Sequence, residues 1–134
     1  MSTTIKKAPD QDLYDLMFAA SMGKNYTTYQ HNPPASAAYP FVQIGFVQLV
    51  PMTTKSWLLG RLFVQVDVWG SKIQRKTVSD MAHDLMTAFT AIKTLSSGLK
   101  IDAQYEGCTT EVMPDTSGNE DLWRARLSLE FTLF

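Results

Sequence analysis

Cysteine is nearly absent: the chain of 134 residues holds one, Cys108, so no intrachain disulfide can form. Its surroundings, Glu106-Gly107-Cys108-Thr109-Thr110-Glu111, are acidic and disfavour a thiolate. Cys108 therefore reads as a plain strand residue. Histidine is almost as scarce, with His31 in a proline-rich stretch and His83 beside Asp84. An excess of charge of either sign is missing too: 12 basic and 13 acidic residues leave a formal net charge of -1. The longest basic clusters are the dipeptides Lys6-Lys7 and Arg75-Lys76. Nucleic-acid readers must first neutralise phosphates, and this chain has neither the basic excess nor the basic stripe for it. No apolar run approaches the ~20 residues needed to cross a bilayer. Met1 to Asp10 lacks a basic-then-apolar secretion pattern. The expectation is a soluble protein made in a reducing cytoplasm, with no membrane contact.

Catalytic and ligand-holding patterns are also wanting. There is no Gly-x-Ser-x-Gly elbow to pair with His83. The glycines Gly45, Gly60, Gly70, Gly98, Gly107 and Gly118 are isolated and suit turns, bulges and caps rather than a phosphate cradle. No His-x-x-x-His, Cys-x-x-Cys or Asp-x-Asp-x-Asp-Gly spacing is present for a metal. The carboxylates Glu120-Asp121 sit in a turn and read as solvated. The residues give an enzyme nothing to rest on, and no catalytic residue, metal or cofactor is expected.

What is present is ordered patterning in one domain of ordinary size, with hydrophobic residues at 45%. Pro9 and Asp10 open a helix to about Met22, with Leu13, Leu16, Met17 and Ala20 on one face and Gly23 as its stop. Residues 24 to 40 form a long connection with Pro33-Pro34, including a short strand around Tyr26 to Gln30. Phe41 to Val50 reads as a strand. Arg61 to Trp69 alternates: Leu62, Val64, Val66 and Val68 on one side, Arg61, Gln65 and Asp67 on the other. Thr77 to Thr94 is a helix with the stripe Val78, Met81, Ala82, Leu85, Phe89 and Ile92, capped by Thr77 with Asp80. Leu99 to about Met113 is a long strand. Leu122 to Phe134 is another, with Trp123, Ala125, Leu127, Leu129, Phe131 and Leu133 inward and Arg124 and Arg126 outward. The order α-β-β-α-β-β predicts an α+β fold: a mainly antiparallel sheet of four to five strands with two helices on one face.

Several segments in this order resemble a known family. Tyr39-Pro40-Phe41-Val42-Gln43-Ile44-Gly45 looks like the opening strand of the tail terminator or tail completion (head-tail joining) proteins of long-tailed bacteriophages. Val66-Asp67-Val68-Trp69, then Gly70-Ser71 and an amphipathic helix, is similar to that family's central signature. Asp121-Leu122-Trp123-Arg124-Ala125-Arg126-Leu127-Ser128-Leu129-Glu130-Phe131 resembles its final strand. The match covers most of the chain from Tyr39 onward; the long connection of residues 24 to 40 departs from the shorter members.

The resemblance implies a virion protein, assembled in the host cytoplasm, that forms a hexameric ring with copies of itself at the head-proximal end of the tail. Such a ring ends growth of the tail tube, meets the tube protein, and offers a docking surface to the head connector or stopper. The genome passes through it without sequence-specific binding. A ring needs a heterologous interface between two different patches of one subunit. The hairpin of residues 51 to 60 is crowded with large apolar groups, and it and the turn of residues 114 to 121 are expected to meet the tube or connector, through Met52, Trp57, Leu58, Leu59, Asp115 and Glu120. Arg124, Arg126, Phe63 and Trp69 are expected between subunits or facing the lumen. Alternatives are another head-tail adaptor or neck protein, and a small ligand-binding α+β domain.

Overall fold

A strand whose apolar residues alternate can bury one face only, and two amphipathic helices supply the cover. The computed structural model describes residues 7–30, 32–52 and 59–134. Helix α1 is Pro9–Gly23, followed by strands β1, Thr28–Tyr29, β2, Phe41–Pro51, and β3, Gly60–Ser71. Helix α2, Arg75–Thr90, precedes β4, Ile101–Ala103, the 3-10 turn Tyr105–Gly107, β5, Thr109–Asp115, and β6, Leu122–Leu133. The predicted α+β class and element order are observed.

The sheet runs β1-β2-β3-β6, and the far edge of β6 is shared by β4 and β5. It is mixed rather than purely antiparallel, because β1 pairs in parallel with Val42 and Gln43 of β2. The order brings β6 between β3 and β5, so the C-terminal strand, with its strict alternation, becomes the centre of the sheet.

The long strand expected from Leu99 to Met113 is broken in two. Ala103 faces Phe131 and Thr109 faces Ser128, so six residue steps on one side match three on the other. The extra length folds into the 3-10 turn. Its Gly107 runs so close to Glu130 that an added Cβ would lie 2.9 Å from the Glu130 Cβ. The break shifts the inward phase by one residue, from Ile101 and Ala103 of β4 to Thr110 and Val112 of β5, which pair with the inward Leu127 and Ala125.

Helix α1 starts on Pro9, whose missing N–H costs nothing in the first turn. Leu13 and Met17 are fully buried, with Leu16 and Ala20 packed beside them. Helix α2 buries Val78, Met81, Ala82, Leu85 and Phe89, the predicted stripe, while Ile92 falls beyond its end. The predicted Thr77–Asp80 cap is not formed: the helix begins two residues earlier, with Gln74 at the N-cap. The Gln74 Oε1 instead accepts a 2.9 Å hydrogen bond from the Ser71 backbone N–H, which joins β3 to the helix. Asp80 pairs with Lys76, one helical turn before it, at 2.6 Å. Lys93, expected in the last helical turn, lies past it and meets Asp102 at 2.9 Å.

Both helices lie on the face that carries Val42, Ile44, Leu62, Val64, Val66, Val68, Leu127, Leu129 and Phe131, and these form one buried core with them. Among the described residues, no helix or strand covers the opposite face. One corner of it is closed, where Tyr39 stacks on Phe41 and Tyr29 meets Phe41 edge-on. No helix of the described residues is long and apolar enough to cross a membrane.

Candidate functional site on the uncovered face of the sheet

The uncovered face is built from the residues that alternate out of phase with the core. Register sets Trp69 of β3 opposite Arg124 of β6, Asp67 opposite Arg126, Gln65 opposite Ser128, and Phe63 opposite Glu130. Across β3, Gln43 faces Asp67 and Gln48 faces Phe63. Across β6, Glu111 faces Arg126 and Met113 faces Arg124.

At its centre, Asp67 is only 4% exposed although it lies on the uncovered face. A buried carboxylate must be paired and hydrogen-bonded. Arg124 does this diagonally: its Nε and Nη2 each donate to one Asp67 oxygen at 3.1 Å. The same guanidinium lies over the Trp69 ring, 4.6 Å from its centroid, and 3.7 Å from Asp115. The Trp69 indole N–H in turn reaches the Gln43 side-chain oxygen at 3.3 Å. Arg126 is held less well: its Nε is buried 3.6 Å from Asp67 with no hydrogen-bond partner among the described residues. Asp115 is tied down by the Ser117 hydroxyl and backbone N–H, which hold its carboxyl below the usual carboxylate range.

Asp67 is locked between cations, and Asp84, the neighbour of His83, is engaged by Tyr26 at 2.7 Å and Lys24 at 3.0 Å. The described residues hold no group of three His, Cys, Asp or Glu side chains suited to a metal. Among the open depressions on the surface of the described residues are two of similar size. One of about 430 Å³ lies between Asp10, Gln11 and Tyr14 of α1 and Gly45, Phe46 and Val47 of β2. The other, of about 510 Å³, lies between Ser71, Lys72 and Ile73 and the turn Asn119, Glu120 and Asp121.

The structure gathers one of the two predicted groups. Phe63, Trp69, Arg124 and Arg126 all lie on the uncovered face, half-buried. The other group is split. Met52 and the exposed Leu59 close the hairpin at one end of the sheet, joined by a 3.0 Å backbone hydrogen bond; Trp57 and Leu58 lie outside the described residues. Asp115 and the exposed Glu120 sit at the opposite end, where Asp115 pairs with Leu122 and Leu122 with Ser71. The 12 residues of β3 separate these ends by roughly 40 Å, so they cannot form one contact.

Two features were missed from sequence. Alternation places Asp67 outward, and its near-total burial between two arginines comes from β6 lying beside β3; an acid on β3 and arginines at alternate positions on β6 are the signal. Asp12, in the first turn of α1, is fully buried and accepts the backbone N–H groups of Ser96 and Ser97 at 3.2 and 3.0 Å. No sequence signal links residues that far apart.

No family model and no curated protein matches this chain. Among solved structures, a chain from the virion of a native gene transfer agent particle superposes with a TM-score of 0.64 at 16% identity, covering 94% of each chain. At that identity the likeness establishes a shared fold, extending over nearly the whole length of both proteins.

Proposed function

We propose that this chain is a structural virion protein, a repeating subunit that closes into a ring at the head-proximal end of a phage tail. There it ends growth of the tail tube and presents a docking surface to the head connector. The observation that carries this reading is the near-complete coverage of a virion chain by the same fold, 94% in both directions. The uncovered sheet face supports it. Half-buried aromatic rings and a charge network left incompletely paired are what a subunit surface offers before a neighbour covers it. The balanced charge of that face also suits a passage through which DNA slides without being gripped.

The two ends of the sheet then face different partners. The hairpin end, with Met52 and Leu59 and the neighbouring Trp57 and Leu58, meets the tube or the connector, and the turn with Glu120 meets the other. Arg124, Arg126, Phe63 and Trp69 lie between subunits or toward the lumen. Light scattering on the protein alone and with tail tube protein tests the reading. The expected result is a discrete ring mass in at least one condition, with co-purification on tubes. Co-purification only with DNA-filled heads would reassign the chain to the connector side, and a monomer in every mixture would overturn ring formation.

A further inference from the structure

We infer that copies of this chain join by strand addition, the outer edge of β2 over Ile44–Pro51 receiving β5 of a second copy, antiparallel, beside the groove under α1. The inference rests on the self-assembly reading above and names the surface that performs it.

Both edges are open among the described residues. On β2, β1 covers only Val42 and Gln43, which leaves the following eight residues unpaired on that side. On β5, the seven residues pair with β6 and have no strand beyond them. Unpaired strand edges are templates for another chain, and proteins that must stay apart blunt them with lysines, bulges or covering loops. Neither stretch contains a lysine, and the one proline of each, Pro51 and Pro114, lies near its end and leaves the middle of the edge free of proline. A bulge interrupts β2 between Ile44 and Phe46, at the start of this stretch, and leaves Phe46–Pro51 as the regular edge. Phe46 and Val50 on that edge remain 47% and 38% exposed.

Length, direction and charge favour the heterologous pair over either self-pairing. At ~3.3 Å per residue the regular edge Phe46–Pro51 and β5 span about 20 and 23 Å, a close match. The pairs β2–β3, β3–β6 and β6–β5 are all antiparallel, so β5 runs opposite to β2. A copy placed by a ring rotation that keeps strand direction therefore brings its β5 antiparallel to the β2 of its neighbour, and the sheet continues with every helix on one side. The β5 edge carries Glu111 and Asp115 and no basic residue, so pairing it with itself sets carboxylates together, whereas Ile44–Pro51 carries no charge at all. Pairing β2 with β2 would leave β5 open and stop at a dimer. The groove adds a polar partner: the Tyr14 hydroxyl, at its wall, is buried without a hydrogen bond.

Cysteine cross-linking of the intact protein tests this. Gln48 and Glu111 are exposed and both project from the uncovered face. In a Cys108→Ser background, Gln48→Cys combined with Glu111→Cys should give, on mild oxidation, a ladder of covalent multimers, and so should Phe46→Cys or Val50→Cys in place of Gln48→Cys if the register is shifted. Each single-cysteine variant should stay uncross-linked. Phe46→Lys with Val50→Lys should abolish the ladder while cooperative unfolding is retained. If light scattering shows a ring but no pair cross-links, the edge assignment is wrong and the ring stands. Efficient dimers of Gln48→Cys alone would assign the interface to β2 with β2. A monomer at every concentration, with or without tube protein, overturns both readings.

Discussion

Arg124 and Asp67 meet diagonally across β6 and β3 through two parallel hydrogen bonds of 3.1 Å, with the guanidinium lying over Trp69. The pair sits on the sheet face that no helix of the described residues covers, yet its Asp67 is only 4% exposed. Planar, two-pronged pairing of this kind fixes direction as well as distance. It holds the central strands in register on the side that the hydrophobic core cannot reach, and it leaves the buried Arg126 Nε without a hydrogen bond among the described residues.

Replacing Asp67 with Ala leaves Arg124 and Arg126 facing each other without their shared anion. Removing one partner of a largely buried ion pair costs about 3 kcal/mol, and urea unfolding should show it as a lowered midpoint at unchanged slope. Arg124→Lys keeps the charge and loses the fork, and should cost about 1 kcal/mol. Equal losses for both variants would mean that charge alone matters here.

The Asp12 carboxylate gives stability that depends on acid. Burial raises its pKa, but the Ser97 and Ser96 donors outweigh burial, and the net shift is downward from 3.8. The unfolded chain therefore takes up this proton first as pH falls. The contribution is complete above about pH 5 and is lost as pH drops through the folded value. Asp12→Asn should be less stable at neutral pH by about 1–3 kcal/mol, with a shallower loss of stability below pH 4 in thermal melts. An unchanged acid slope would assign that loss to Asp15, Asp84 and Asp115, which are lowered as well.

Tyr26 works at the other end of the pH scale. Burial, then its 2.7 Å hydrogen bond to Asp84, push the phenol up to about 12 from 10.0. The neutral form is the one the fold prefers, so its contribution is present below pH 10 and fades as pH rises toward 12. Tyr26→Phe should cost about 1 kcal/mol at neutral pH and make stability flatter in that alkaline window. Denaturant curves across the window check both parts.

Gly70 is where β3 turns into α2, and a methyl group there would overlap the Val78 side chain and lie 3.1 Å from the Gln74 Cβ. Gly70→Ala should push the helix off the strand and cost about 2 kcal/mol. Adding Val78→Ala opens the space, so the double variant should lose less than the two single losses combined. A fully additive result would show that the clash is not the cause.

Local pattern decided much of this protein. The alternation of β3 and β6, the stripe Val78 to Phe89 of α2, and Pro9 at the start of α1 are short-range signals, and each element formed within a few residues of its expected bounds. The face that stays uncovered was legible for the same reason, since Phe63, Trp69, Arg124 and Arg126 are out of phase with the core by one residue. Tertiary structure decided which strands became neighbours and what the polar groups met there. It set β6 beside β3, which turned an outward acid and an outward arginine into a buried pair. It broke the strand after Ala103, because β6 offers three residues of edge where the chain supplies six. It also brought Asp12 to Ser96 and Ser97, and it put the hairpin and the turn at opposite ends of the sheet. A side chain's phase is a property of its own strand, but its partner is a property of the strand packed alongside, and only the folded chain determines that.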